Sequence, residues 1–179
     1  LMGYLNPIEN TGYDEFARNA KISGVDGVLV VDMPPEESGD LNKALKKNSV
    51  DQIFLVAPNS PKSRVKQLAS MASGFIYFVS VKGVTGDKGI DTKEITETVG
   101  VTKNLLNLPV GLGFGIKNAD DAYNASKISD AVVVGSSIVE IIENNSDSAS
   151  LEQSIQNFTT ELRDALANRS SVDRGRKTP

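Results

Sequence analysis

The residues of this chain best suited to chemistry are glycines and small hydroxyls gathered at three corners. They lie in "SVKGVTGDKG" (80–89), "GLGFGIKN" (111–118) and "VGSSI" (134–138). At each corner an apolar run gives way to glycine and a helical pattern follows. Glycine lets the backbone come close to a ligand and adopt positive φ, and the free N–H groups of a helix start favour negative charge. The chemistry this offers is anion binding, and if the sixth apolar run is the eighth strand of a barrel, Gly115, Gly135 and Ser136 lie where such barrels often hold a phosphate. Taken singly, each corner reads more readily as a tight turn, and three of them together are more telling than any one. Two other motifs fit poorly. Gly111-Leu112-Gly113-Phe114-Gly115 is spaced G-x-G-x-G rather than G-x-G-x-x-G, and Asp130, about 20 residues on, begins a strand instead of ending one. Gly135-Ser136-Ser137 lacks the G-x-S-x-G spacing of a nucleophile elbow.

The chain has no cysteine and no histidine. Thiolate nucleophiles, disulfides, Cys/His zinc sites and Ser-His-Asp triads are excluded within it. Acid–base work would fall to Asp, Glu, Lys or Tyr. Tyr77 sits mid-strand in "FIYFVS", where an inward hydroxyl needs a partner. Phe114 stands between two glycines, where its ring either packs in the core or covers a planar ligand. Asp32 ends an apolar run before Pro34-Pro35 and either acts on a substrate or caps the next helix. A net charge of −4 without a sustained basic stretch gives little support for a nucleic-acid partner. No apolar run approaches the length of a membrane span, and the missing cysteines fit a cytoplasmic protein.

These residues need a scaffold, and the apolar runs supply one. "LMGYL" (1–5), "GVLVVD" (27–32), "QIFLVA" (52–57), "FIYFVS" (75–80), "PVGLGF" (109–114) and "AVVVG" (131–135) read as strands apolar on both faces, as in a parallel sheet covered on both sides. Helical stretches lie between them. "TGYDEFARNAKISG" sets Phe16, Ala17, Ala20 and Ile22 near one face, and Asn118 is a plausible N-cap for "NADDAYNASKIS". Strands alternating with helices predict right-handed βαβ units. An open doubly wound sheet and most of a (β/α)8 barrel both fit, and the barrel is favoured. Its usual length of about 250 residues exceeds this chain by about two units. A strand pattern at residue 1 also suggests missing upstream sequence. The expected organisation is an incomplete TIM-barrel domain over 1–167 and a disordered tail over 168–179.

"LMGYLNPI", "GVDGVLVVDMPPEES", "FLVAPNS", "FIYFVSVKGVTG", "GLGFGIKNADD" and "AVVVGSSIVEIIE" together resemble the α subunits of tryptophan synthase. The similarity runs in order from Leu1 to about Ala167, and Tyr77 to Gly86 is its most specific part. The resemblance implies a (β/α)8 barrel represented from its third strand to its eighth. It implies the retro-aldol cleavage of indole-3-glycerol phosphate to indole and glyceraldehyde 3-phosphate. It also implies a β-subunit partner in an α2β2 assembly, which holds pyridoxal phosphate and joins indole to L-serine. No cofactor or metal is expected in this chain itself.

By the same resemblance the phosphate cup falls on Gly86, Gly115, Gly135 and Ser136. Tyr77 and Thr85 support the reacting atoms, and Met2, Leu29, Leu55 and Phe114 line the indole pocket. The rim facing the β subunit falls on Asn6-Pro7, Pro34-Pro35 and Pro58-Asn59. Both catalytic carboxylates of the family belong to its second strand and the loop after it, upstream of Leu1, and Asp32 and Glu36 match other family positions. The chain is therefore expected to be a fragment that does not turn over by itself. Two rivals stand beside this reading: another phosphate-sugar barrel enzyme, and a non-catalytic phosphate-ligand-binding partner that activates a β subunit.

Overall fold

The computed structural model describes residues 1–79, 92–113, 115–146 and 149–175, without the side chains of 92–94 and 168–175. The strands follow one another in chain order, β1 to β6, and the pairings described below are parallel. By proximity the chain groups into two compact units, and the expected domain at 1–167 spans both.

The first unit comprises Leu1–Phe78 and Gly100–Val110. It holds β1 (Met2–Gly3), α1 (Leu5–Thr11), α2 (Tyr13–Ile22), β2 (Gly27–Val30), α3 (Gly39–Lys47), β3 (Asp51–Val56), α4 (Lys62–Gln67) and most of β4 (Ile76–Val79). Val28 and Val30 of β2 form a core with Ile8, Ala17, Leu41, Ala44 and Leu45 from α1, α2 and α3. Each fully buried Leu or Val there contributes roughly 1.5–3 kcal/mol, which is what holds these short helices on the sheet.

The second unit comprises Val79–Val99 and Gly111–Pro179. It holds β5 (Val110–Gly113) beyond Val110, α6 (Ala119–Ser126), β6 (Ala131–Val133), α7 (Ser136–Asn145) and α8 (Leu151–Gly175). The helix α5 (Thr92–Leu106) contributes to both units. Within the second unit α8 packs on α6 and α7. It runs through Gly175, into the segment 168–179 read from composition as a tail.

Several expectations change. The strand expected at 1–5 is reduced to Met2–Gly3, because Leu5 already begins α1. Pro7 is tolerated there because it stands in the first turn, where its missing N–H has no intrahelical role. Asp32 does not cap the helix that follows it. Its Oδ1 accepts from the Leu5 N–H at 2.8 Å and so caps α1, which precedes it in the chain.

Ile22 is not on the buried face of α2. It is 78% exposed while Ala17 is fully buried and Ala20 nearly so. At about 3.6 residues per turn, position 22 lies far around the helix from 17 and 20. The strands are also less uniformly covered than their composition suggests. In β3 and β4 burial alternates, with Gln52, Phe54, Val56, Ile76 and Phe78 buried and Ile53, Leu55, Tyr77 and Val79 half-buried. Only one face of these two strands is fully covered, which is the pattern of period two rather than of a strand buried on both sides.

Candidate functional site: the corner after β5 and β6

Strands β5 and β6 are parallel, with Gly111 beside Ala131, Leu112 beside Val132 and Gly113 beside Val133. Each pair is offset by 20 (133 − 113), and Gly115 and Gly135 each follow two residues after the last pair. Parallel strands end on the same side, and the two corners therefore emerge together. Gly115 has φ +78°, a conformation that side-chain-bearing residues resist. Gly135 is different. Its φ is −119°, and a Cβ added there would meet nothing within 4 Å. Neither backbone conformation nor packing demands glycine at 135, and the missing side chain leaves open space over the start of α7.

The starts of α6 and α7 differ in a way that decides which can take an anion. At α6 the Asn118 side chain accepts from the Asp121 N–H at 2.9 Å, as its N-cap assignment predicts. Two carboxylates, Asp120 and Asp121, occupy the first turn of α6. The positive end of that helix is already answered by acidic groups. At α7 the N-cap is Gly135, no side chain caps the turn, and no acidic residue lies in it. The first amides of a helix have no intrahelical acceptor. Here the Ile138 and Val139 amides already donate to the Gly135 carbonyl at 2.9 and 3.1 Å, and before them stand an exposed Gly135 and an exposed Ser136. The two corners are tied together by the Ser137 hydroxyl, which donates to the Ile116 carbonyl at 3.3 Å.

In the first unit the other expected residues share one sheet face. Met2 pairs with Leu29, Leu29 with Ile53, and Leu55 with Tyr77. Paired residues of parallel strands point the same way, so Met2, Leu29, Leu55 and Tyr77 line the face opposite Val28 and Phe54. Met2 is 61% exposed, Leu55 and Tyr77 are half-buried, and Leu29 is only 3% exposed, with little surface left for a ligand. Desolvation by burial holds the Tyr77 phenol above its ordinary value of 10.0. Asn6 and Pro7 are exposed, Pro34 and Pro58 are half-buried, Asn59 is exposed, and Pro35 is buried. Pro35 is thus a packing residue of its turn. Thr85, Gly86 and Phe114 lie outside the described residues.

A cavity of about 430 Å³ opens at the opposite, N-terminal ends of β1 to β4, lined by Leu1, Asp26, Gly27, Asp51 and Phe75 among others. Sequence reasoning did not point to it, and no motif signals it. Barrel enzymes work at the C-terminal ends of their strands, so this cavity is not the site. Among the described residues no group of three His, Cys, Asp or Glu side chains could hold a metal ion. No described helix is long and apolar enough to cross a membrane.

Parallel βα units in chain order, with glycine-containing corners after the last two strands, define a protein of the (β/α) barrel class. The family described as "Tryptophan synthase alpha chain" matches residues 1–167. The tryptophan synthase alpha chain of Janthinobacterium sp. (strain Marseille) is 46% identical over 166 residues, which are 93% of this chain and 62% of that protein. That of Thiobacillus denitrificans is 53% identical over 143 residues, 80% of this chain and 52% of that protein. Among solved structures, the α subunit from Legionella pneumophila str. Paris superposes with a TM-score of 0.84 at 32% identity, covering 94% of this chain and 62% of its own. A structure of the tryptophan synthase a2b2 complex from Pyrococcus furiosus gives a TM-score of 0.79 at 32% identity, with coverage of 90% and 65%.

This chain belongs to the tryptophan synthase alpha chain family. Its fold class is the (β/α)8 barrel of that family, represented by six strands. It spans between about half and two thirds of the length of the relatives it matches.

Proposed function

We propose that this chain carries the phosphate clamp and part of the indole pocket of a tryptophan synthase α subunit, a lyase of tryptophan biosynthesis. The reaction is the retro-aldol cleavage of indole-3-glycerol phosphate to indole and glyceraldehyde 3-phosphate. The observation that carries the reading is the corner after β6. An uncapped helix start, free of carboxylates, is bonded through Ser137 to the turn holding positive-φ Gly115 and is left open by a glycine the fold does not require. Gly115, Gly135 and Ser136 bind the phosphate through main-chain amides and the serine hydroxyl, with Gly86 completing the cup. Helix-start amides suit a doubly charged oxyanion because the dipole and unsatisfied donors act together.

By the resemblance, Met2, Leu55 and Phe114 are assigned to the indole pocket, and Leu29, 3% exposed, serves as packing of its strand. Tyr77 and Thr85 act close to the reacting carbons. A desolvated phenol, kept neutral, can donate a hydrogen bond to charge developing there. The cleavage itself needs a proton delivered to indole C3, relief of the indole N–H, and removal of a proton from a glycerol hydroxyl. Carboxylates suit those steps, and the family's two catalytic carboxylates have no counterpart among the matched positions. Asp32 does not replace them, since its oxygen is engaged by the Leu5 amide.

The partner is a tryptophan synthase β subunit, which holds the pyridoxal phosphate that this chain does not need. The similarity to the tryptophan synthase a2b2 complex of Pyrococcus furiosus supports that assignment. The pathway is cytoplasmic. The 179-residue chain is expected to bind indole-3-glycerol phosphate and to release no indole from it. Indole release at the rate of an intact enzyme, or no binding at millimolar substrate, would overturn this reading.

A further inference from the structure

The peptide group joining Ile116 and Lys117 is held from both sides. Its carbonyl accepts from the Ser137 hydroxyl at 3.3 Å, and its N–H donates to Asp121 Oδ2 at 2.9 Å. The Asp121 backbone is fixed in turn by Asn118 Oδ1 at 2.9 Å. One peptide plane thus links the start of α7 to the first turn of α6, one residue beyond Gly115. A single bond would leave that plane free to rotate about the other side. Two opposed bonds set its orientation, and with it the direction in which the Gly115 turn presents its amide.

We propose that Ser137 and Asp121 are positioning residues that lock the Ile116–Lys117 peptide and so preorganise the anion cup. The proposal rests on the phosphate-binding reading above and names the side chains that give that cup its geometry.

Burial argues that this is more than a helix cap. Asp121 is 2% exposed, and its second oxygen, Oδ1, is buried without a hydrogen-bond partner among the described residues. An unpartnered buried acceptor is costly. A cap at the protein surface would satisfy the same amide without that cost, whereas a buried carboxylate holds the peptide in one place. Ser137 is half-buried and contributes no cap of its own to α7, whose N-cap makes no side-chain bond. Its hydroxyl serves the neighbouring corner instead.

The test measures inorganic phosphate affinity of the full 179-residue chain and the hydrogen exchange of the Lys117 amide, in wild type, Ser137→Ala, Asp121→Ala and Asp121→Asn. Ser137→Ala is expected to weaken phosphate binding about three- to tenfold, the range set by one hydrogen bond, with the unfolding midpoint little changed. Asp121→Ala should weaken binding at least as much and speed Lys117 exchange. Asp121→Asn keeps an acceptor for Lys117 and should retain wild-type affinity and slow exchange. Should Asp121→Ala fail to fold, the comparison of Ser137→Ala with Asp121→Asn still decides. Wild-type binding with an unchanged affinity in Ser137→Ala, or a loss in Asp121→Asn as large as in Asp121→Ala, overturns the clamp alone. A wild-type chain that binds no phosphate overturns the anion-site reading, and the role of the clamp with it.

Discussion

The Ser137 hydroxyl donates to the Ile116 carbonyl at 3.3 Å, bridging two corners that lie 21 residues apart in the chain. The bond ties the start of α7 to the turn that follows β5. It joins two glycine turns, and the proposed anion cup depends on that link.

Gly135→Asp separates stability from function. Aspartate is among the best N-caps, and α7 lacks any side-chain cap. The Cβ enters open space. The substitution should stabilise the chain by roughly a few tenths of a kcal/mol, since glycine is itself a tolerated N-cap, while abolishing phosphate binding, because a carboxylate then occupies the place of the anion. Chemical unfolding paired with a phosphate titration checks both halves.

Gly115→Ala should lose on both counts. A side chain at φ +78° is strained, at a cost of about 1–2 kcal/mol, and relief of that strain turns the amide away from the cup. A lower unfolding midpoint with weaker phosphate binding is the expected pair of results. An alanine variant as stable as wild type would mean that the turn at 115 differs from the one described.

Asp32→Ala removes the acceptor of the Leu5 N–H. The expected loss is about 0.5–2 kcal/mol, the range for an N-cap. Phosphate affinity should not change, since the Asp32 carboxylate is engaged by the Leu5 amide. A catalytic assignment for Asp32 would require the opposite, with stability intact and ligand chemistry altered.

The Tyr77 phenol has its pKa raised by desolvation. Between the ordinary value of 10.0 and the raised one, the folded state holds a proton that the unfolded state has lost. Stability from this group is therefore complete below pH 10 and declines as pH rises through the folded value. Ultraviolet titration of wild type minus Tyr77→Phe should show a phenol ionising above 10. A difference curve centred at or below 10 would refute the burial assigned to it.

The sequence held the repeating βα order openly, because short Val- and Ile-rich runs and glycine-terminated helices are local signals. Asn118 was legible for the same reason: a cap and its target lie three residues apart. What it hid was tertiary. Asp32 reads as a cap for the helix after it, yet it serves Leu5, 27 residues earlier, since strands β1 and β2 lie side by side. Ile22 reads as apolar and therefore buried, and only its angular position shows otherwise. At the site, Gly115, Gly135 and Ser136 were visible as turn residues. Ser137 and Asp121 were not, because no local pattern reveals that a hydroxyl and a carboxylate hold the same peptide.

The most direct test of the anion cup is a backbone-amide NMR titration of the 179-residue chain with inorganic phosphate. The account predicts that the amides of Gly115, Gly135 and Ser136 shift together along a single binding curve. Shifts confined to lysine- and arginine-rich surface such as Lys46, Lys47 and Arg163, with those three amides unmoved at saturation, would contradict it.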